Sequence, residues 1–147
     1  MTSSLETEFR DLLQHLDSHQ VQTLMEPFAH LELRDLHEPE TGLVMLTALD
    51  CYHHPFHVGE LLVTRAEIEF DGIRAHATVM GDAAEKALLA AMLNAILRHD
   101  LSEELSAEFR KIWPPIAASA RSRIDEERGV AATTKVAFEN MAEEEEL

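Results

Sequence analysis

The chain has 147 residues, a length that suits one domain, and 46% of them are apolar, enough for a real core. Its formal net charge is -16 at pH 7 with histidines neutral. Such acidity argues against binding a nucleic-acid backbone and against steering a free anion onto this chain, and favours a basic partner surface.

The first segment reads as a helix. Ser4 is placed to cap it, Thr7 and Glu8 sit early, and Leu5, Phe9, Leu12, Leu13 and Leu16 recur at helical spacing. A short second helix runs from Ser18 to about Met25, carries Val21 and Leu24, and stops before Pro27. The period then changes. Alternation from Phe28 to Asp35 predicts a half-buried strand, and Pro39-Glu40-Thr41-Gly42 a turn. Leu43 to Leu49 predicts a second strand and His57 to Phe70 a third. Asp71-Gly72 is a two-residue hairpin signal leading to a fourth, Ile73 to Met80.

Asp82 and Glu85 have the spacing of a helix-capping box. The predicted helix Ala83 to Arg98 is alanine-rich and apolar on most faces, so it is expected to be buried on more than one side. A further helical region begins near Ser102. Pro114-Pro115 either breaks it or starts a new helix, and Gly129 is a candidate stop for the stretch Ile116 to Glu127. Thr133 to Met141 reads as extended or loosely ordered, and Glu143 to Glu146 as a solvated acidic tail, about residues 142–147. The predicted fold class is α+β: a mostly antiparallel sheet of about four strands, with N-terminal helices, a buried Ala-rich helix and C-terminal helices packed on it, in one domain over residues 1–147.

One cysteine, Cys51, excludes an internal disulfide and suits a reducing compartment. The polar, acidic start lacks the basic and apolar regions of a secretory signal, and no apolar run approaches the ~20 residues that span a bilayer. The expected location is cytoplasmic, with no membrane partner.

Cys51, His53, His54 and His57 place a thiol and three imidazoles within seven residues. All four are competent metal ligands, but zinc sites usually recruit ligands from separate segments, so a solvated or partner-contacting loop is the simpler reading. Gly59 inside a strand-like run marks a bulge or a close backbone approach. Glu60 and Arg65 lie five residues apart, so a regular strand sends them to opposite faces. They could position a phosphate-bearing substrate or a partner loop, or act as ordinary structural charges, as could Arg34, Glu38 and Glu40. No phosphate-binding loop, dinucleotide fingerprint, nucleophile elbow or H-E-x-x-H motif occurs.

Several pieces in order resemble the PhnG family: Glu40-Thr41-Gly42-Leu43-Val44-Met45, Pro55-Phe56-His57-Val58-Gly59-Glu60, Val63-Thr64-Arg65-Ala66, and Val79-Met80-Gly81-Asp82 before the Ala-rich helix. Thr134 to Met141 is similar to that family's closing T-x-V-x-F-x-x-M pattern. The chain departs from the family in the loop Asp50 to His54, usually glycine-rich, at His57, often Asn, at Thr47 and Ala48, where an arginine is common, and at Ala137. The resemblance implies an accessory subunit of the carbon–phosphorus lyase system of organic phosphonate catabolism, in a hetero-oligomer with PhnI, PhnH and PhnJ. There PhnI, with its helpers, couples a phosphonate to the ribose C1 of ATP and releases adenine. ATP and phosphonate are then handled by the complex, and no cofactor is implied for this chain. The family supplies no catalytic residue to carry over. His57, Glu60, Arg65 and Glu40 are therefore candidates for substrate or partner contact. Two alternatives come from the residues alone: a metal-binding enzyme or sensor built on Cys51, His53, His54 and His57, and a homo-oligomer that binds a small acid through Arg65.

Overall fold

The structure is a computed structural model that describes residues 2–99 and 102–134. Helix α1 (Thr2–Leu12) is prolonged by a 3-10 turn, Leu13–His15. Its predicted stripe is the buried one: Phe9, Leu12, Leu13 and Leu16 all lie in the core. The helix starts at Thr2, so Ser4 lies within it and is not its cap. Helix α2 (Ser18–Met25) is capped by Asp17, whose carboxylate accepts from the Gln20 backbone N–H at 2.8 Å. The Gln20 side chain accepts in return from the Asp17 N–H at 3.1 Å. Pro27 ends α2 in a 3-10 turn, Glu26–Phe28, which drops Phe28 into the core.

The sheet has three strands where four were expected: β1 (Leu33–Leu49), β2 (Pro55–Phe70) and β3 (Ile73–Met80), antiparallel in the order β1-β2-β3. Two predicted strands are one. The first begins only at Leu33 and continues through the expected turn Pro39-Glu40-Thr41-Gly42 into Leu43–Leu49. The turn signal is absorbed as a bulge. His37 pairs with Glu67 and Glu40 with Arg65, so two residues, Glu38 and Pro39, stand opposite Ala66 alone. Pro39 has no N–H to give a ladder, and a bulge on an edge strand is where it is tolerated. A 16-residue β2 offers a partner to both halves of β1, so no reversal is needed. The Asp71-Gly72 hairpin forms as predicted, with φ of 48° and 77° at its two corners.

Helix α3 (Ala84–Ile96) packs across β2 and β3 on Ala66, Ile68, Phe70, Ala75, Ala77 and Val79. Ala87, Leu89, Ala91, Met92, Leu93, Ala95 and Ile96 are all buried, because α2 and α4 (Ser102–Thr133) cover its far side. The expected Asp82 cap does not form. Ala83 is the residue before the helix, and Thr64 of β2 supplies the missing bond. Its buried hydroxyl accepts from the Ala83 N–H at 3.0 Å and donates to the Gly81 carbonyl at 2.6 Å.

Helix α4 runs through Pro114-Pro115 and past Gly129, which overturns both predicted interruptions. Each proline deprives the carbonyl four residues earlier of its donor, at Arg110 and Lys111. All four residues face solvent, where water can serve those carbonyls, while Trp113, Ile116 and Ala117 are buried beside them. Packing of one face thus outweighs the local break. Trp113 stacks on Phe109 and meets Phe9 edge-on, each with ring centroids 5.4 Å apart, and donates to Glu8 at 2.9 Å. Arg121 also pairs with Glu8, and Arg123 with Asp17 at 3.2 Å. The helix ends with Thr133 and Thr134 turning their hydroxyls back onto the Val130 and Ala131 carbonyls. The segment Thr133 to Met141 was expected to be extended, but Thr133 closes the helix; the rest of that segment from 135 on, with the acidic tail, lies outside the described residues.

Candidate functional site: a two-faced hairpin arm

β3 stops short. Its last pairing joins Met80 to Val63, and the last contact beyond it is the Gly81 N–H donating to the Leu62 carbonyl at 2.8 Å. From there outward β1 and β2 have only each other. Leu43–Leu49 pairs with Pro55–Leu62 as a two-stranded arm about 25 Å long at the usual rise per residue. Residues directly opposite in an antiparallel pair share a face, so the register sorts the arm. One face carries Leu43 with Leu62, Met45 with Glu60, Thr47 with His57, and Leu49. The other carries Val44 with Leu61, Leu46 with Gly59, and Ala48 with Phe56. Val58 is the extra residue of a bulge beside Gly59, as the glycine suggested.

The second face is apolar throughout, the first mixes Leu43, Met45, Leu49 and Leu62 with Thr47, His57 and Glu60, and both are in water. Leu43 is 60% exposed, Met45 53%, Phe56 49% and Val58 56%. Nine of the eleven exposed large hydrophobic residues lie between Leu43 and Leu62, which makes the arm the one concentration of apolar surface among the described residues. Between Gly42 and Gly59 the only acidic or basic residue, histidines aside, is Asp50, in a chain otherwise rich in charge. An isolated two-stranded ribbon is marginal in water, and a soluble protein rarely leaves such a patch uncovered.

The tip is built for rigidity. The Asp50 carboxylate accepts from the Tyr52 and His54 N–H groups, both at 2.8 Å, and the Asp50 and His54 backbones bond at 3.0 Å. His53 takes a left-handed backbone (φ 64°) to close the turn. Cys51, His53, His54 and His57 do not converge. No group of three or more His, Cys, Asp or Glu side chains among the described residues is arranged to hold a metal. His57 instead shares a hydrogen bond with Thr47 at 3.1 Å, and His54 lies 3.6 Å from Asp50.

The four contact candidates separate into two pairs. His57 and Glu60 share the face of the arm that continues the helix-covered side of the sheet. Glu40 and Arg65 are direct partners on the opposite, open side, the face opposition expected for Glu60 and Arg65. Arg65 pairs with Glu67 at 3.4 Å, and Arg74 with Glu69 at 3.1 Å, in a row of exposed charges where each arginine has a carboxylate. No cleft gathers these four residues. What the sequence reading missed was the arm as a unit. The expected turn at Pro39 cut its inner strand away, although the runs Leu43–Leu49 and Phe56–Leu62 both lack the alternation of a one-sided strand.

The family model for the phosphonate metabolism protein PhnG matches residues 7–143. The chain belongs to the PhnG family. It is thereby a member of a family of carbon–phosphorus lyase complex subunits in phosphonate metabolism. No curated protein matches it. The family match covers the whole arm and most of the body. The arm's exposed apolar faces suit a PhnG chain that completes itself against other subunits. No helix among the described residues is long and apolar enough to cross a membrane.

Proposed function

We propose that this PhnG chain is an accessory, non-catalytic subunit that docks its arm, Leu43 to Leu62, into partner subunits of the PhnI, PhnH and PhnJ kinds. In that assembly it supports transfer of a phosphonate to the ribose C1 of ATP with loss of adenine. The observation that carries this reading is a ribbon with exposed large apolar side chains on both faces and both backbone edges open, on an otherwise well-covered acidic domain. Burying the exposed half of each of those side chains contributes on the order of 1 kcal/mol apiece, so the arm alone can support a lasting interface. Asp50 and Glu60 are its only carboxylates and it has no lysine or arginine, a sparseness of charge that suits a buried interface centre, and the acidic body offers a rim for basic residues of the partner. His57 and Glu60 would then contact the partner through one face. Glu40 and Arg65, at the arm's root, would meet whatever the partner brings against the open sheet.

The test is coexpression with the neighbouring phosphonate subunits, followed by purification through a tag on one partner. The wild-type chain is expected to copurify in fixed ratio. Val44→Ser with Phe56→Ser is expected to lose it while remaining folded by circular dichroism. Full recovery of that double variant in the complex, or release of adenine from ATP by the chain alone, would overturn the reading.

A further inference from the structure

A second feature lies at the other end of the molecule and owes nothing to the arm. Helices α1, α3 and α4 and the outer edge of β3 line a half-open cavity of about 580 Å³. That is within the size range of small-molecule sites. Its walls are mostly apolar, with Leu5 and Phe9 from α1, Leu93 from α3, Phe109 from α4 and Val79 from β3, and Glu6 is the one carboxylate on its lining.

The β3 edge along the cavity is already protected from strand addition. The Asn94 side chain donates to the His76 carbonyl at 3.0 Å, and Arg98 reaches the Arg74 carbonyl at 3.4 Å. The Gln14 carboxamide brackets Met80, accepting from its N–H at 3.0 Å and donating to its carbonyl at 3.3 Å. Three side chains on the acceptor row of one strand leave no run of free backbone for a peptide to pair with. A peptide strand is therefore the wrong occupant.

Two polar groups point to another. Ser106 is 5% exposed, lines the cavity, and has no hydrogen-bond partner for its hydroxyl among the described residues. The hydroxyl opens onto the cavity, where a ligand or water can reach it. Arg110 lies one helical turn further along α4, on the same face, and also lines the cavity. It has no carboxylate partner among the described residues, in a chain with 28 acidic residues against 12 basic ones. Arg10, across the mouth on α1, is held by Glu6 at 2.5 Å. A hydroxyl and a guanidinium spaced to meet one head group, beside an apolar chamber, match an amphipathic anion.

We infer that this cavity is a binding site for a small amphipathic anion. Its single carboxylate or phosphonate head is held by Ser106 and Arg110, and its apolar body of roughly ten carbons lies among Leu5, Phe9, Leu93 and Phe109. The head chemistry is shared by a fatty carboxylate and an alkylphosphonate, and the experiment separates them.

The chain carries its own reporter. Trp113, the single tryptophan, packs on Phe9 and Phe109, the two rings that line the cavity. Octanoate, octylphosphonate and methylphosphonate are titrated against the full-length chain, followed by Trp113 fluorescence and by calorimetry. Saturable one-to-one binding of an eight-carbon anion is expected, with methylphosphonate at least tenfold weaker for want of a body. A tenfold preference between the two eight-carbon heads assigns the source to the tighter one, and near-equal affinity assigns the site to the shared head chemistry. Arg110→Gln is expected to weaken binding about tenfold and Ser106→Ala severalfold, with unchanged circular dichroism. Ala90→Leu, which fills the wall, is expected to weaken octyl ligands without affecting copurification through the arm. Failure of both eight-carbon anions to saturate, or binding indifferent to Arg110→Gln and Ala90→Leu alike, would overturn the site and leave the arm's role untouched.

Discussion

The body and the arm use the same strands to opposite ends. In the body, residues 63–70 of β2 lie between two strands and under α3, and Thr64, Ala66, Ile68 and Phe70 are buried in strict alternation. In the arm, the same strand from Pro55 to Leu62 has one neighbour and no helix, and alternation of burial vanishes, although its residues are no less apolar. Hydrophobicity therefore does not report burial here. The reach of β3 and α3 does. The body is complete without a partner and the arm is not, which is the arrangement a dedicated assembly subunit needs.

The largest test of this contrast is in the core. Phe28→Ala, at a side chain with no exposure, should cost about 3–5 kcal/mol in urea unfolding, a large part of what a domain of this size has. The equivalent insult in the arm, Val44→Ser with Phe56→Ser, should change unfolding by less than about 0.5 kcal/mol, because those side chains are already half in water. An arm variant as destabilising as Phe28→Ala would break the comparison, since it would mean that the arm folds back onto its own body.

The boundary between the two regions supplies a middle-sized effect. Thr64 ties β2 to the turn before α3 through two hydrogen bonds, at the last point where the sheet is three strands wide. Thr64→Val keeps the shape and should cost about 1 kcal/mol by leaving a part-buried N–H and carbonyl without their partner. Hydrogen exchange should quicken at Ala83 in particular.

The smallest effect is electrostatic and confined to the body. Lys86 donates to the Gln14 carbonyl at 2.7 Å, and its pKa is lowered, first by burial and then by the Arg123 charge, against the opposing pull of Asp17. A lysine with a lowered folded pKa binds fewer protons folded than unfolded in the interval below 10.5, so stability rises with pH there. Wild type should therefore gain slightly on Lys86→Gln as the pH climbs toward 10.5, read as a difference in melting temperature. The same pair compared between pH 6 and 7 should show no change.

Much of the body was legible from residue order. The stripes of α1 and α2, the Asp71-Gly72 hairpin and the many-sided burial of α3 follow from periodicity, a two-residue turn code and an alanine-rich composition. The misreadings share one cause. Pro39, Pro114-Pro115, Gly129 and Asp82 are local signals, and in each case packing or pairing of the neighbours overruled them. Pro39 became a bulge because β2 was long enough to pair on both sides of it. The prolines of α4 stayed helical because Trp113 and Ile116 were already buried and the freed carbonyls faced water. Asp82 lost its capping role to Thr64, which lies 19 residues away from Ala83 in sequence.

The candidate site was only half legible. The loop Cys51 to His57 stood out by composition, but a metal centre needs convergence, and Asp50 holds that loop in a turn whose imidazoles do not converge. Residue order by itself determined which segments are helical or extended, the chain's acidity, and its membership of a family recognisable from ordered short motifs, because these depend on local periodicity and composition. Only the tertiary structure decided that two predicted strands are one, that β3 ends at Met80 and leaves the arm bare, and that Ser106 and Arg110 meet a cavity beside α1. Each of those depends on where one element stops relative to another, and that is settled by packing between residues far apart in the chain.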